Sequence, residues 1–350
     1  MTPLRVLVVG PGAVGSLLGG MLALAGASVT LLGRRPPAAA DSGVGVPDVL
    51  QLEGPEGPRA VAVVRAHDPA TLEQPDLTIL AVKAFDLPGA LEIVAHWPAM
   101  PVMTVQNGVG AEEAAAAARA SPILAGSLTS AVEPIPGGVR RLRTGGIGVA
   151  AVRGDAGRLA VDLVAAFSAA GLPAVLFEDA AAMKWSKLIA NLVANATSAL
   201  LDMDPHAIYE DPRSFRIERN QLQEAVAVMR GLGVHPVSLP GAHVLLLLRG
   251  LRLPEPIARP IVARAIGKAR GGKSPSLRLH VRGETAGPTE AHWLNGAVAR
   301  AGAALGVPTP VNAGLAALVD EAAIDPDRAA WFEGRPDRLG DALAAWERSH

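Results

Sequence analysis

Apolar residues change their period midway along this chain. In the first half they fall in short β-rich runs at residues 5–9, 28–32, 77–82 and 102–105, separated by glycine turns and stretches of helical period. Residues 16–25 read as a helix closed by Gly26, residues 112–120 as an alanine-rich helix and residues 154–170 as a third. Residues 43–64 hold two short apolar runs among Pro and Gly, which predicts an antiparallel excursion after the second strand. Further strands are expected at 123–132, once or twice within 139–152, and at 173–177, with turns at Gly137-Gly138 and Gly145-Gly146.

From residue 180 onward no strand pattern occurs. A helix runs from 180 to about 201, an amphipathic one from 214 to 232 ends at Gly233, and shorter pieces at 244–253 and 260–269 are separated by prolines. Residues 289–305 form a helix stopped by Gly306 and Pro308, and residues 312–323 another with Asn312 as its cap. The expected domains are 1–178, an α/β unit with a mostly parallel sheet, and 179–323, an all-α unit, followed by an extension at 324–350.

With 350 residues, half of them hydrophobic, two large cores are affordable. A net charge of −1 supplies no field for nucleic acid or an acidic membrane. The absence of cysteine removes disulfides, thiol nucleophiles and thiolate metal sites, and suits a cytoplasmic protein. Met1 leads straight into an apolar strand without signal-peptide regions, and the uncharged stretch 231–248 contains Pro236 and Pro240, so it does not read as a membrane span.

The first strand runs into Gly10-Pro11-Gly12-Ala13-Val14-Gly15 and then a helix. Strand, G-x-G-x-x-G, helix, strand is the order of a Rossmann-type dinucleotide site: Gly10 for the tight turn, Gly12 for approach to the pyrophosphate, Gly15 for helix–strand packing. After the second strand, nineteen residues beyond Gly15, stand Arg34 and Arg35, with no carboxylate for a ribose 2′-hydroxyl. Two guanidiniums suit a 2′-phosphate, so the expected cofactor is NADP(H).

Two more strands end in polar residues, at Lys83 and at Gln106-Asn107-Gly108. Ligands of doubly wound sheets bind at the carboxyl ends of strands, which places Lys83 and Asn107 toward ribose and nicotinamide; Asn107-Gly108 also reads simply as turn chemistry. In the helix from 180, Lys187, Asn191 and Asn195 stand four residues apart and so share one face. A bound polar substrate would satisfy such a stripe; hydrogen bonds to neighbouring helices, or a lysine snorkelling to water, are the alternatives.

Residues 259–282 carry seven Lys or Arg and no acid, either a solvated face or a guide for anionic ligands. The extension holds Trp331, Phe332 and Trp346, which implies that it packs on something, the site itself or a second subunit of a homodimer.

Taken together, these passages resemble the ketopantoate reductase (2-dehydropantoate 2-reductase) family. The likeness rests on the glycine motif with Arg34, on Ala81-Val82-Lys83, on Gln106 to Gly110, on Lys187 to Asn195, and on Pro288 to Gly296 followed by Gly306-Val307-Pro308-Thr309-Pro310. It implies Lys187 as the catalytic lysine, Asn191 and Asn195 on the substrate, Asn107 at the nicotinamide and Glu290 as the essential acid. It also implies that Ser276, with Ser274 the neighbouring alternative, meets the substrate carboxylate. The chain departs from the family at 282–287, about two residues longer than usual, and at His292, where an aspartate is common.

The resemblance implies reduction of a 2-keto acid, and the residue types suit hydride transfer to a ketone. Hydride attack on a ketone puts charge on its oxygen, and a lysine there stabilises that charge and supplies a proton. Glu290 would orient the lysine or accept a substrate hydroxyl, although an acid opening a helix is also favoured by the dipole alone. Rival readings are a β-hydroxyacid dehydrogenase, which also pairs a glycine motif with a helical lysine, and a non-catalytic NADP(H)-binding sensor.

Overall fold

The structure, a computed structural model, describes residues 3–34, 45–142, 145–270, 275–285 and 287–349. Arg35, Ser274 and part of the basic run lie outside the described residues. The chain divides into two compact units, the first comprising residues 1–184 and Leu239–Ala242, the second residues 185–238 and 243–350.

The first unit is built on a sheet whose central strands are buried on both faces. β1 (Arg5–Val9), β2 (Ser28–Leu32), β3 (Val46–Glu53), β4 (Arg59–Ala66), β5 (Leu77–Leu80), β6 (Val102–Thr104), β7 (Ile123–Leu128), β8 (Val132–Ile135), β9 (Gly138–Arg141), β10 (Ile147–Arg153) and β11 (Ala174–Phe177) form one sheet. Its order is β11-β10-β7-β6-β5-β1-β2-β4-β3-β9-β8. Parallel pairings predominate; β3–β4, β7–β10 and β8–β9 are antiparallel. The excursion at 43–64 is thus the β3–β4 hairpin, with β4 parallel to β2.

Alternation along β1 explains the layers. Val6 and Val8 belong to the apolar cluster that includes Leu17, Leu18, Met21 and Leu22 of α1 (Ala13–Leu24). Leu7 and Val9 point the other way, toward Leu87, Ala90 and Val94 of α2 (Leu87–Val94) and Ala111 of α3 (Ala111–Ala118). Leu163 and Phe167 of α4 (Gly157–Ala169) complete the first face. β1 lies between β2 and β5, so chain direction across the sheet reverses there, the place where doubly wound sheets receive ligands.

The described residues of the second unit form helices joined by loops, with no strand among them. α5 (Ala180–Leu192), which begins in the first unit, is followed by α6 (Ala196–Leu201), α7 (Pro205–Glu210), α8 (Pro212–Gly231), α9 (Val244–Leu251), α10 (Glu255–Arg270), α11 (Ser276–Val281), α12 (Asn295–Leu305), α13 (Pro310–Ile324), α14 (Pro326–Phe332) and α15 (Pro336–Ser349). No described helix is long and apolar enough to cross a membrane.

Four expectations need correcting. The helix from 180 stops at Leu192, because Ala194 takes φ +47° and α6 starts afresh. Pro260 does not divide the helix before it: Glu255–Arg270 is continuous, with Pro260 inside. Residues 289–305 are not one helix; a 3₁₀ turn at Ala291–Trp293 precedes α12, with Leu294 non-helical between them. Asn312 is not a cap, since α13 starts at Pro310 and Asn312 is buried within it.

Candidate active site

Steric exclusion shapes the loop after β1. Gly10 has φ +92°, and a Cβ there would meet Val82 N at 2.9 Å and Ala81 C at 3.0 Å, so only glycine lets the loop pass the end of β5. A Cβ on Gly15 would come within 2.3 Å of the Gly10 carbonyl oxygen. Gly12 is different: a Cβ there meets nothing within 4 Å among the described residues. Its role is not packing, and it leaves open backbone at the N-terminus of α1, where it is the cap residue without a side-chain hydrogen bond. Pro11 anchors the turn by accepting a hydrogen bond from Ser16 Oγ at 3.1 Å, and Ala13 and Val14 open the helix. Free amides and a helix dipole at an uncovered loop fit a pyrophosphate.

Arg34 is exposed just past β2, and its guanidinium pairs with Asp86 at 2.5 Å. The sequence places no acid after β2; the fold brings one from the 3₁₀ turn Ala84–Asp86 that follows β5. A 2′-phosphate would share Arg34 with that carboxylate. Lys83 and Asn107 are both exposed at the carboxyl ends of neighbouring strands, β5 and β6. Between them Gln106 is buried, and its Nε2 donates to Leu80 O at 2.8 Å and Val82 O at 3.2 Å. Gln106 Oε1 has no hydrogen-bond partner among the described residues, an acceptor left for a donor on a bound group. This donor and acceptor set fits a dinucleotide.

In the second unit Lys187 and Asn191 are half-buried on one face of α5. Asn195 follows the end of α5 at Leu192, one residue after Ala194 with φ +47°. It is buried, and its Oδ1 accepts a hydrogen bond from Leu277 N at 3.2 Å, which brings it beside Ser276 at the start of α11. Glu218 of α8 holds the break. Its Oε2 accepts from Ala194 N at 2.8 Å and Tyr209 Oη at 2.6 Å, and its Oε1 from Thr197 Oγ1 and Gln221 Nε2, both at 2.7 Å. Nothing in the sequence marks Glu218 apart from its being an acid on the apolar side of an amphipathic helix.

Glu290 is buried, and its neighbours fix its backbone. Thr289 Oγ1 donates to Asp320 at 2.5 Å and accepts from Ala291 N at 3.2 Å. Asn295, at the start of α12, donates to Gln221 Oε1 at 2.8 Å and Asn312 Oδ1 at 3.0 Å, while Asn312 donates to Glu224 at 2.7 Å. The Glu290 passage and the Asn195 break are therefore tied to one helix, α8.

His292 accepts from Arg300 at 3.1 Å; burial first, and then the Arg300 charge, lower its pKa below the ordinary 6.5. Arg278 and Arg282 of the basic run pair with Asp202, Asp204 and Glu333, so these two are structural rather than a guide for anions. A groove of about 570 Å³ between α8 and α9, lined by Val226, Arg230, Leu245 and Arg249 among others, contains none of these residues.

The family pattern described as Ketopantoate reductase PanE/ApbA matches residues 6–153, and its C-terminal counterpart matches residues 179–323. A 2-dehydropantoate 2-reductase from Halobacterium salinarum is 32% identical over 235 residues, covering 66% of this chain and 77% of its own. One from Caulobacter vibrioides is 29% identical over 331 residues, 91% of this chain and 99% of its own. Among solved structures, a PanE/ApbA family ketopantoate reductase from Ralstonia eutropha JMP134 superposes with a TM-score of 0.73 at 28% identity, covering 93% of this chain and all of that one. A D-mandelate dehydrogenase solved with NADH and anilino(oxo)acetate shares the fold, with a TM-score of 0.72 at 20% identity over 92% of this chain and 99% of that one.

Proposed function

Because this chain belongs to the ketopantoate reductase PanE/ApbA family, we propose that it is a cytoplasmic enzyme reducing 2-dehydropantoate to (R)-pantoate with NADPH, a step of pantothenate and coenzyme A biosynthesis. One observation carries the proposal: a glycine loop open at Gly12 occurs in the same chain as half-buried Lys187 and Asn191 on one helix face. NADPH, held by the loop from Gly10 to Gly15, would supply the hydride for the keto carbon when bound. Lys187 serves the keto oxygen, where its ammonium stabilises the growing negative charge more than the ground state and then delivers the proton. Glu290 orients that lysine or accepts a substrate hydroxyl. Asn191, Asn195 and Ser276 hold the substrate's hydroxyl and carboxylate oxygens; the bond from Leu277 N to Asn195 supports grouping the last two. The loop Gly10 to Gly15 takes the pyrophosphate, Arg34 the 2′-phosphate, and Lys83 and Asn107 the ribose and nicotinamide.

The ion pair of Asp86 with Arg34 favours a second reading for the cofactor, NADH with a different 2-keto acid. Steady-state oxidation of NADPH and NADH with a panel of 2-keto acids separates the two. The expected result is the highest kcat/KM for 2-dehydropantoate with NADPH; a protein that binds NADPH and reduces no 2-keto acid ends the enzyme reading. In Lys187→Ala, turnover should fall by roughly a hundredfold or more while the NADPH dissociation constant stays within a few fold.

A further inference from the structure

Lys184 lies one turn before Lys187 on α5, yet it plays no part in the chemistry above. Its side chain is buried, within the first unit, and its ammonium donates to the carbonyl oxygen of Gln106 at 2.7 Å. The counter-charge is Glu112 at 3.1 Å, on the first turn of α3, equally buried. Glu112 Oε1 also accepts from Thr104 Oγ1 at 2.6 Å, at the end of β6. Thr104 and Glu112 flank the turn that carries Asn107, and the ammonium grips that turn at the residue before Asn107.

An ion pair taken out of water gains little net stability, since desolvation offsets the attraction. What the ammonium adds is direction. The Gln106 side chain already ties one end of the turn to Leu80 O and Val82 O. The next residues are loose by composition, with Gly108 at φ +84° and Gly110 at φ +104°. Rotation of the peptide between Gln106 and Asn107 would redirect the Asn107 side chain, and the Gln106 carbonyl on that peptide faces a fixed charge. A charge-assisted hydrogen bond on that oxygen selects one orientation.

We propose that Lys184, neutralised by Glu112, is a positioning residue that sets the Gln106–Asn107 peptide and so aims Asn107 at the nicotinamide end of the cofactor. The proposal rests on the reading of Asn107 as a cofactor contact.

The test uses the full-length chain as Lys184→Met, as the double variant Lys184→Met/Glu112→Met, which removes both members of the buried pair together, and as Lys184→Arg. Hydrogen exchange read by mass spectrometry over residues 105–110 should speed up in both methionine variants, with the rest of the first unit unchanged. With NADPH and 2-dehydropantoate, kcat of the double variant should fall about tenfold or more with KM and the NADPH dissociation constant within threefold, as for a misplaced reacting group. The deuterium isotope effect on kcat with C4-deuterated NADPH should rise, and Lys184→Arg should recover part of the rate. Unchanged exchange at 105–110, or a double variant with wild-type kcat, overturns the proposal. If the wild type reduces no 2-keto acid, the functional reading fails by itself. The exchange data and the fluorescence of bound NADPH in the double variant then decide the positioning role, an unaltered nicotinamide signal counting against it.

Discussion

Arg34 shows how one side chain's meaning depends on what the fold sets beside it. Along the chain it stands where a 2′-phosphate would be met, with no acid nearby. In space its guanidinium rests on Asp86, a residue of a different strand's loop. A phosphate must displace that carboxylate or share the cation, and the extra negative charge works against it. Asp86→Asn should therefore raise the preference for NADPH over NADH, by about five- to tenfold for one partly exposed charge. Arg34→Ala should lower it. The ratio of kcat/KM for the two cofactors measures both, and a ratio unmoved by either change would remove Arg34 from cofactor selection. Gly12 and Gly10 teach a related lesson. Both stand in one motif, but one is demanded by contact with the β5 loop and the other leaves space.

At the level of elements, the break between α5 and α6 carries more of the site than helical periodicity suggests. Four residues' spacing carries a continuous helix from Lys187 through Asn191 to Asn195; the helix instead ends at Leu192, Ala194 takes φ +47°, and Asn195 Oδ1 accepts from Leu277 N. Glu218 holds that break with four donors on its two oxygens. Glu218→Gln keeps the shape but offers only one acceptor oxygen. Tyr209 and Thr197 can rotate their hydroxyls to accept from the new amide. Ala194 N and Gln221 Nε2 cannot, so in either amide orientation one donor is left without its acceptor. The expected cost is about 1–3 kcal/mol in urea unfolding, with a larger loss of kcat/KM than of cofactor affinity. Equal stability to the wild type would mean that the break is held by packing alone.

For the molecule as a whole, the C-terminal extension is part of the second unit's core rather than an appendage. Phe332 and Leu339 are fully buried, Gly334 N donates to Leu201 O at 2.8 Å, and a Cβ on Gly314 would meet Leu343 of α15 at 2.8 Å. Phe332→Ala should cost about 3–5 kcal/mol, read as a lowered midpoint of thermal or urea unfolding; a loss below about 1 kcal/mol would mark α14 as peripheral. The extension also reaches a titrating group. Burial above all, with Glu347 of α15 adding its charge, raises the pKa of Glu224 above its ordinary 4.5. The folded state then holds a proton that the unfolded chain has lost, so this group's contribution to stability falls as pH rises from 4.5 through the folded value. Relative to Glu224→Gln, the wild type should therefore lose stability across that rise, and a stability difference that stays flat with pH would contradict the assignment.

The alternating and glycine-punctuated first half determined the doubly wound sheet, the loop from Gly10 to Gly15 and the strand ends at Lys83 and Asn107. Those features depend on residues close in sequence: alternation sets which face is buried, and a glycine is needed where the local backbone turns. The candidate lysine and Asn191 were legible for the same reason, as neighbours on a single helix. Tertiary structure alone decided the rest. Asp86 reaches Arg34, Glu218 reaches Ala194, and Glu112 reaches Lys184 from distant parts of the chain. No period or motif encodes such pairs, because their members meet only once the fold brings distant segments together; for the buried Glu218 and Glu112 that requires apolar packing to have excluded water first.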